Sequence, residues 1–286
     1  MRLSTSTNIL FERQNQAPIN PLETMVFCKN AGFEVLDFCF HDLSTYQNDF
    51  LTDSWQDYFK KCKEKADEIG IEFSQGHAVV YDFCRKDISH PHFEQLLTKC
   101  IIGASEIGVK WLVLHPSTVH SNRPYLDSKK ANVEFFKRWV DFAAKYQVGL
   151  AIENMWDAHI SPIKLYCTTA EELVDLVEDV PGLEICWDQE HSSIMNQDIL
   201  SSLRLIGSHL KATHISDYTN PRDIHLLPFM GKSNWSEIMN AFKKVNYQGD
   251  FDLEIHRYLT KMPLENCEQA IRLSYEIGST LLKMVK

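Results

Sequence analysis

The chain has 286 residues, 44% hydrophobic and 24% charged, a composition that suits a soluble globular protein with a large core. Lys and Arg total 29 against 39 Asp and Glu, a formal charge of −10. A surface of that sign repels phosphate backbones at long range, so nucleic acid is not an expected partner. There is no run of about 18 apolar residues, and the opening MRLSTSTNIL lacks the apolar stretch of a secretory leader. The eight Cys include no CxxC pair and lie in apolar stretches such as Phe38-Cys39-Phe40, which reads as buried free thiols. No membrane span is expected, and the expected compartment is the cytoplasm.

Short apolar runs alternate along the chain with amphipathic helical runs, the pattern of a parallel sheet with crossover helices. In chain order, the expected strands are Arg2–Ile9, Glu34–Phe40, Glu72–Val79, Trp111–Pro116, Gly149–Met155, Glu184–Asp188, Leu210–Ile215 and Asp250–His256. Helical stripes fall between them. After the second strand come Trp55, Phe59, Cys62, Ala66 and Ile69. After the fourth come Val133, Phe136, Val140 and Ala143, and after the fifth Leu173, Leu176, Val177 and Val180. The last of these opens with Thr169 and Glu172 at capping-box spacing. A final helix from about Pro263 to Met284 closes the chain. No linker divides the sequence and no GxGxxG loop follows the first strand. The expectation is therefore one domain over 1–286, an α/β fold closed as a single (β/α)₈ TIM barrel rather than an open doubly wound sheet.

In such barrels, active sites form at the C-terminal ends of the strands. Here those ends carry His77, His115, Glu153, Asp188 with His191, His214 and Glu254, and the loop after the seventh strand holds Asp223 and His225. Strand alternation turns Leu150 and Ile152 toward the helices and Glu153 toward the axis; likewise Leu253 and Ile255 face out and Glu254 faces in. Asp252 shares the inward parity of Glu254. Buried carboxylates need compensation, and a divalent cation supplies it. Mixed carboxylate and imidazole donors suit Mn²⁺, Fe²⁺, Co²⁺ or Zn²⁺ better than Ca²⁺. Asn154, Trp156 and Arg257 are candidate substrate contacts, and each has an equally ordinary structural reading.

The stretches LVLHPST, LAIENMW, ICWDQEH, ATHISD, DIHLLPFMGKSNW and FDLEIH together resemble the xylose isomerase-like superfamily over essentially the whole chain. That superfamily holds sugar isomerases and epimerases, inosose dehydratases and the endonuclease IV group. The resemblance implies one divalent metal (Mn, Zn, Co, Fe or Mg, with Mn or Zn favoured) on Glu153, Asp188, His214 and Glu254. It further implies that Glu153 and Glu254 move a proton beside a carbonyl through an enediolate, with His191 contacting substrate. A small carbohydrate, and a second copy of the chain in a homodimer, are the partners that fit this reading. The endonuclease IV group offers the competing analogy of a multinuclear zinc phosphodiesterase. Its nine ligands match His77, His115, Glu153, Asp188, His191, His214, Asp223, His225 and Glu254. Pro228-Phe229-Met230-Gly231-Lys232 departs from the G-E-G pattern common to both groups, and an inosose dehydratase-like lyase is a third alternative.

Overall fold

The computed structural model describes residues 1–85, 87–157 and 163–285. Eight parallel strands are laid down in chain order: β1 Arg2–Ser6, β2 Val35–Cys39, β3 Glu72–His77, β4 Trp111–Leu114, β5 Gly149–Glu153, β6 Leu183–Asp188, β7 Leu210–His214 and β8 Asp250–Leu253. The helices are α1 Pro21–Ala31, α2 Phe40–Leu43, α3 Trp55–Ile69, α4 His90–Ile107, α5 Pro124–Ala144, α6 Ala170–Asp179, α7 Gln189–Ile194, α8 Ile199–Ile206, α9 Trp235–Val245 and α10 Leu264–Lys283. Neighbouring strands pair in parallel from β7 back to β1, with register shifts at Leu36/Asp37 and Ile185/Cys186, and β1 then pairs with β8. The ring closes between β7 and β8 at an isolated bridge, Ile215 to Leu253. There Ile215 N–H donates to Asp252 C=O (2.8 Å) and Glu254 N–H to Ile215 C=O (3.1 Å). The architecture is the expected α/β barrel, nearly closed.

Several strands stop short of their expected ends. β1 finishes at Ser6, whose hydroxyl accepts from Asn8 N–H and starts a single 3-10 turn over Thr7–Leu10. β3 ends at His77 and β4 at Leu114. His77 is still paired, with Cys39 and Val113, whereas His115 follows directly after β4, so both imidazoles sit at the barrel mouth. The capping box of α6 forms only in half. Thr169 Oγ1 accepts from Glu172 N–H (3.3 Å), but the Glu172 carboxylate takes Thr168 N–H (2.8 Å) instead of that of Thr169.

The large core lies between barrel and helices. Phe38, Phe73, Leu112, Ile152, Ile185, Trp187, Phe251 and Leu253 are buried there, and each such side chain contributes about 1.5–3 kcal/mol. Inside the barrel the side chains are small: Val113, Ala151, Cys186 and Ala212 form their own cluster, with Trp111 packed beneath. Gly149 makes room for that indole, since a Cβ at this position would lie 2.2 Å from a Trp111 ring carbon. Small interior residues leave the upper barrel free for the polar groups of the mouth.

Candidate metal centre

The strand alternation carries Ala151 and Glu153, Cys186 and Asp188, and Ala212 and His214 onto the barrel axis. β8 does the same for Asp252, and Glu254 follows directly. Glu153, Asp188, His214 and Glu254 converge, each offering a ligand atom within 4.8 Å of the others, and all are buried. His214 Nδ1 lies 3.2 Å from Glu153 Oε1 and 3.5 Å from Glu254 Oε2. Asp188 divides its labour. Oδ1 caps α7 by accepting His191 N–H (2.7 Å), whereas Oδ2 is buried and makes no hydrogen bond, lying 3.5 Å from His191 Nδ1. Glu153 Oε2 and His214 Nδ1 likewise make no hydrogen bond, although each lies within ion-pair distance of a neighbour in the site.

Two further donor sets flank this one. Nε2 of His77 lies 3.0 Å from Nε2 of His115 and 3.4 Å from Glu153 Oε2, and His115 Nε2 lies 3.1 Å from the same oxygen. Such an approach of acceptor-type atoms requires a proton or a cation between them. On the other side Glu190, His191 and His225 form a buried triplet. His191 Nδ1 donates to the Asn154 carbonyl (2.8 Å). A carbonyl only accepts, so the hydrogen is on Nδ1, and His191 Nε2 presents a buried, unpartnered lone pair. His225 adopts a left-handed φ of 57°, and its N–H donates to Glu190 Oε2 (2.9 Å).

The electrostatics follow from burial and crowding. Burial pushes the Glu153 carboxyl up, but His214 and His115 outweigh it and hold the group well below the usual carboxylate range. Burial, joined by the Glu153 charge, pushes Asp188 well above that range. Glu254 is also raised, first by burial. Burial lowers His191 to about 4. Carboxylate oxygens crowded against imidazole nitrogens, with several of these atoms making no hydrogen bond, in a buried setting that penalises the acids, form a donor set complementary to a divalent cation. The residues present fit one.

Above the donors opens a cavity of about 270 Å³ lined by Phe11, Glu12, His41, Asp42, Trp156 and His256 as well as by the site. Among the described residues no Lys or Arg lines it.

A family model described as "Xylose isomerase-like TIM barrel" matches residues 26–277. The chain belongs to that family. Its relatives include a D-psicose 3-epimerase of Enterocloster bolteae, 26% identical over 36% of this chain and 31% of the relative. They also include a probable endonuclease 4 of Acholeplasma laidlawii, 25% identical over 54% of this chain and 56% of the relative. Matches generally span about half the length of the curated relatives. Among solved structures, a D-tagatose 3-epimerase-like protein superposes with a TM-score of 0.76 at 18% identity, covering 100% of this chain and 98% of the other. A zinc-binding IOLI protein does so at 0.73 and 17% identity, covering 100% and 98%. These likenesses show the shared family fold.

Other expected residues fall in varied places. Asn154 is buried and its amide is committed to Asp188: Nδ2 donates to the Asp188 carbonyl and Oδ1 accepts its N–H, both at 2.8 Å. It holds the Asp188 backbone and does not line the cavity. Trp156 lines the cavity, stacks on His191 (4.3 Å between centroids) and donates from Nε1 to the Pro221 carbonyl. Arg257 is turned outward, donating to the Arg222 carbonyl. Asp223 is exposed, accepts the Thr219 hydroxyl and joins none of the donor sets. Sequence reasoning gave no role to Glu190, His256 or Glu12. His256 Nε2 lies 3.6 Å from Glu12 and its ring 4.1 Å from that of His225. Glu190 lies in the polar stretch Asp188-Gln189-Glu190-His191 at the start of α7, and its inward direction is set by the α7 cap. The Pro228–Lys232 stretch is organised by buried Asp217, whose carboxylate accepts the N–H groups of Phe229, Gly231 and Ser233 and the Trp235 indole. A Cβ at Gly231 would meet Asp217 Oδ1 at 2.3 Å.

Proposed function

We propose that this chain is a divalent-metal-dependent isomerase or epimerase of a sugar or related polyol. The carrying observation is the set Glu153, Asp188, His214 and Glu254, buried together under an open cavity, with several donor atoms that make no hydrogen bond. These four residues would hold the metal, and a bound divalent ion supplies Lewis acidity that stabilises negative charge developing on substrate oxygens. The chain's own groups do the rest. Glu153, held ionised, accepts the proton next to the substrate carbonyl, and Glu254, whose carboxyl is raised, returns one from the other side of His214. Asn154 fixes Asp188, and the Asn154 carbonyl fixes the His191 tautomer, so that His191 Nε2 can accept a substrate hydroxyl. Trp156 supplies an apolar wall for a sugar face. The epimerases among its relatives agree with this reading.

The flanking sets, His77 with His115 and Glu190 with His191 and His225, favour a second reading as a multinuclear phosphodiesterase. Against it stand the outward Asp223, the cavity without Lys or Arg, and the charge of −10. The deciding experiment incubates metal-loaded protein with a panel of ketoses in deuterated water, and separately with an abasic-site duplex at low salt. Deuterium at a carbon beside the carbonyl, lost on chelation, supports the proposal. Strand cleavage without deuterium entry in any sugar reverses it.

A further inference from the structure

Below the donor layer the barrel interior remains polar. Asp37 on β2 and Asp252 on β8 are 1% and 0% exposed, and among the described residues neither pairs with a Lys or Arg. Asp37 Oδ1 accepts the Ser6 hydroxyl (3.4 Å) and Oδ2 accepts Gln75 Nε2 (3.0 Å). The same Gln75 nitrogen donates to the carbonyl of Thr213 (3.2 Å), the residue before His214. Both partners accept, so the Gln75 amide has one workable orientation, and it ties Asp37 to β7. Asp252 Oδ1 accepts the Ser4 hydroxyl (2.6 Å), and its Oδ2 has no partner.

His214 stands between this layer and the one above. Nδ1 faces Glu153 and Glu254. Nε2 is buried, unpartnered, and 3.8 Å from Asp37 Oδ2. Asp37, His214 and Asp252 also bring their polar atoms within 4.8 Å of one another. A neutral imidazole has one lone pair and one N–H. If the lone pair serves the upper set, Nε2 carries the hydrogen, and the Asp37 carboxylate, 3.8 Å away and beyond direct hydrogen-bond reach, favours it there by its charge.

We propose that Asp37, held by Gln75 and backed by Asp252, is a positioning residue: it keeps the hydrogen of His214 on Nε2 and so aims the Nδ1 lone pair at the metal site of Glu153, Asp188 and Glu254. This rests on the metal reading given above. A carboxylate behind a ligating histidine fixes its tautomer and orientation and makes it a stronger donor. Asp37→Asn keeps the shape, and because Gln75 Nε2 donates to the oxygen that faces His214, the amide keeps a carbonyl oxygen there; the change removes the negative charge that favours a hydrogen on Nε2.

The test compares wild type and D37N, using Zn²⁺ titrated against a chromophoric chelator and the visible spectrum of the Co²⁺ form. Wild type should bind tightly, and D37N should bind about 10–100-fold more weakly with an altered Co²⁺ spectrum and unchanged stoichiometry. Thermal melts of the metal-free proteins report any folding defect separately. Should D37N not fold, ¹⁵N NMR of the zinc-loaded wild type still decides: Nε2 of His214 should be the protonated nitrogen, and a protonated Nδ1 overturns the proposal. Equal affinities with equal spectra overturn it too. Loss of a whole metal equivalent in D37N would place a cation in the lower layer instead. Failure of the wild type to bind Zn²⁺, Co²⁺ or Mn²⁺ would remove the metal reading itself, a result distinct from equal binding by the two proteins.

Discussion

Replacing Asn154 by Ala should damage the site through the Asp188 backbone. The Asn154 amide makes two bonds to Asp188, both at 2.8 Å and both buried. Truncation leaves one N–H and one C=O without their partner. Each unsatisfied buried group costs about 1–3 kcal/mol, so the pair amounts to roughly 2–6 kcal/mol. For a domain of this size each kcal/mol lowers the melting temperature by about 2–4 °C, so a fall of roughly 4 °C or more is expected. Metal affinity should fall in parallel, because Asp188 Oδ2 is aimed by the same backbone. The isosteric Asn154→Asp should be at least as harmful: its oxygen would face the Asp188 carbonyl and add a buried charge beside Glu153. The assay is calorimetry of the metal-free proteins with Zn²⁺ titration alongside. An Ala variant that melts within about 1 °C of wild type, or an Asp variant that is the milder of the two, would refute the reasoning.

Glu153→Gln and Glu254→Gln should each abolish deuterium incorporation into substrate while the circular dichroism spectrum stays native; near-normal exchange in both would defeat their roles as proton carriers. Asp42 gives a pH test. Burial pushes its carboxyl up to about 8 from an ordinary 3.8, with Cys39 offsetting only part. The folded form therefore holds the proton more tightly than the unfolded chain, and stability falls as pH rises from about 4 to about 8. Asp42→Asn should raise the melting temperature at pH 8 and leave it unchanged near pH 4, and the opposite trend in paired melts would count against the burial argument. Gly149→Ala sets a Cβ against the Trp111 ring and should destabilise by about 1–3 kcal/mol, read by urea denaturation; an unchanged midpoint would show that the indole has room to move.

Much of this was legible in the chain because barrel geometry converts strand parity into direction. Once Leu150 and Ile152 face the helices, Glu153 must face the axis, and the same logic holds for Asp188, His214 and Glu254. What parity could not deliver was anything decided by loop conformation or by pairs distant in sequence. Asp223 lies two residues from His225, yet a local bridge between Asn220 and Asp223 turns it outward. Glu190 reads as the middle of an ordinary turn, and only the cap that Asp188 places on α7 sends it inward. The partner of Asp252 was invisible because it is Ser4, 248 positions away. Asn154 looked like a contact for substrate hydroxyls, and no spacing rule reveals that its amide is already spent on Asp188.

The seam between β7 and β8 is the least zipped line in the sheet, a single bridge where other neighbours share a ladder. The donor set straddles it: Glu153, Asp188 and His214 hang from one bank, Glu254 from the other. Whatever the four residues grasp together acts as a clasp across the one joint that holds the ring shut. Metal binding at the centre should therefore be audible far from any side chain, as slowed hydrogen exchange at the amides of Ile215 and Glu254, and the metal-free chain should breathe there first.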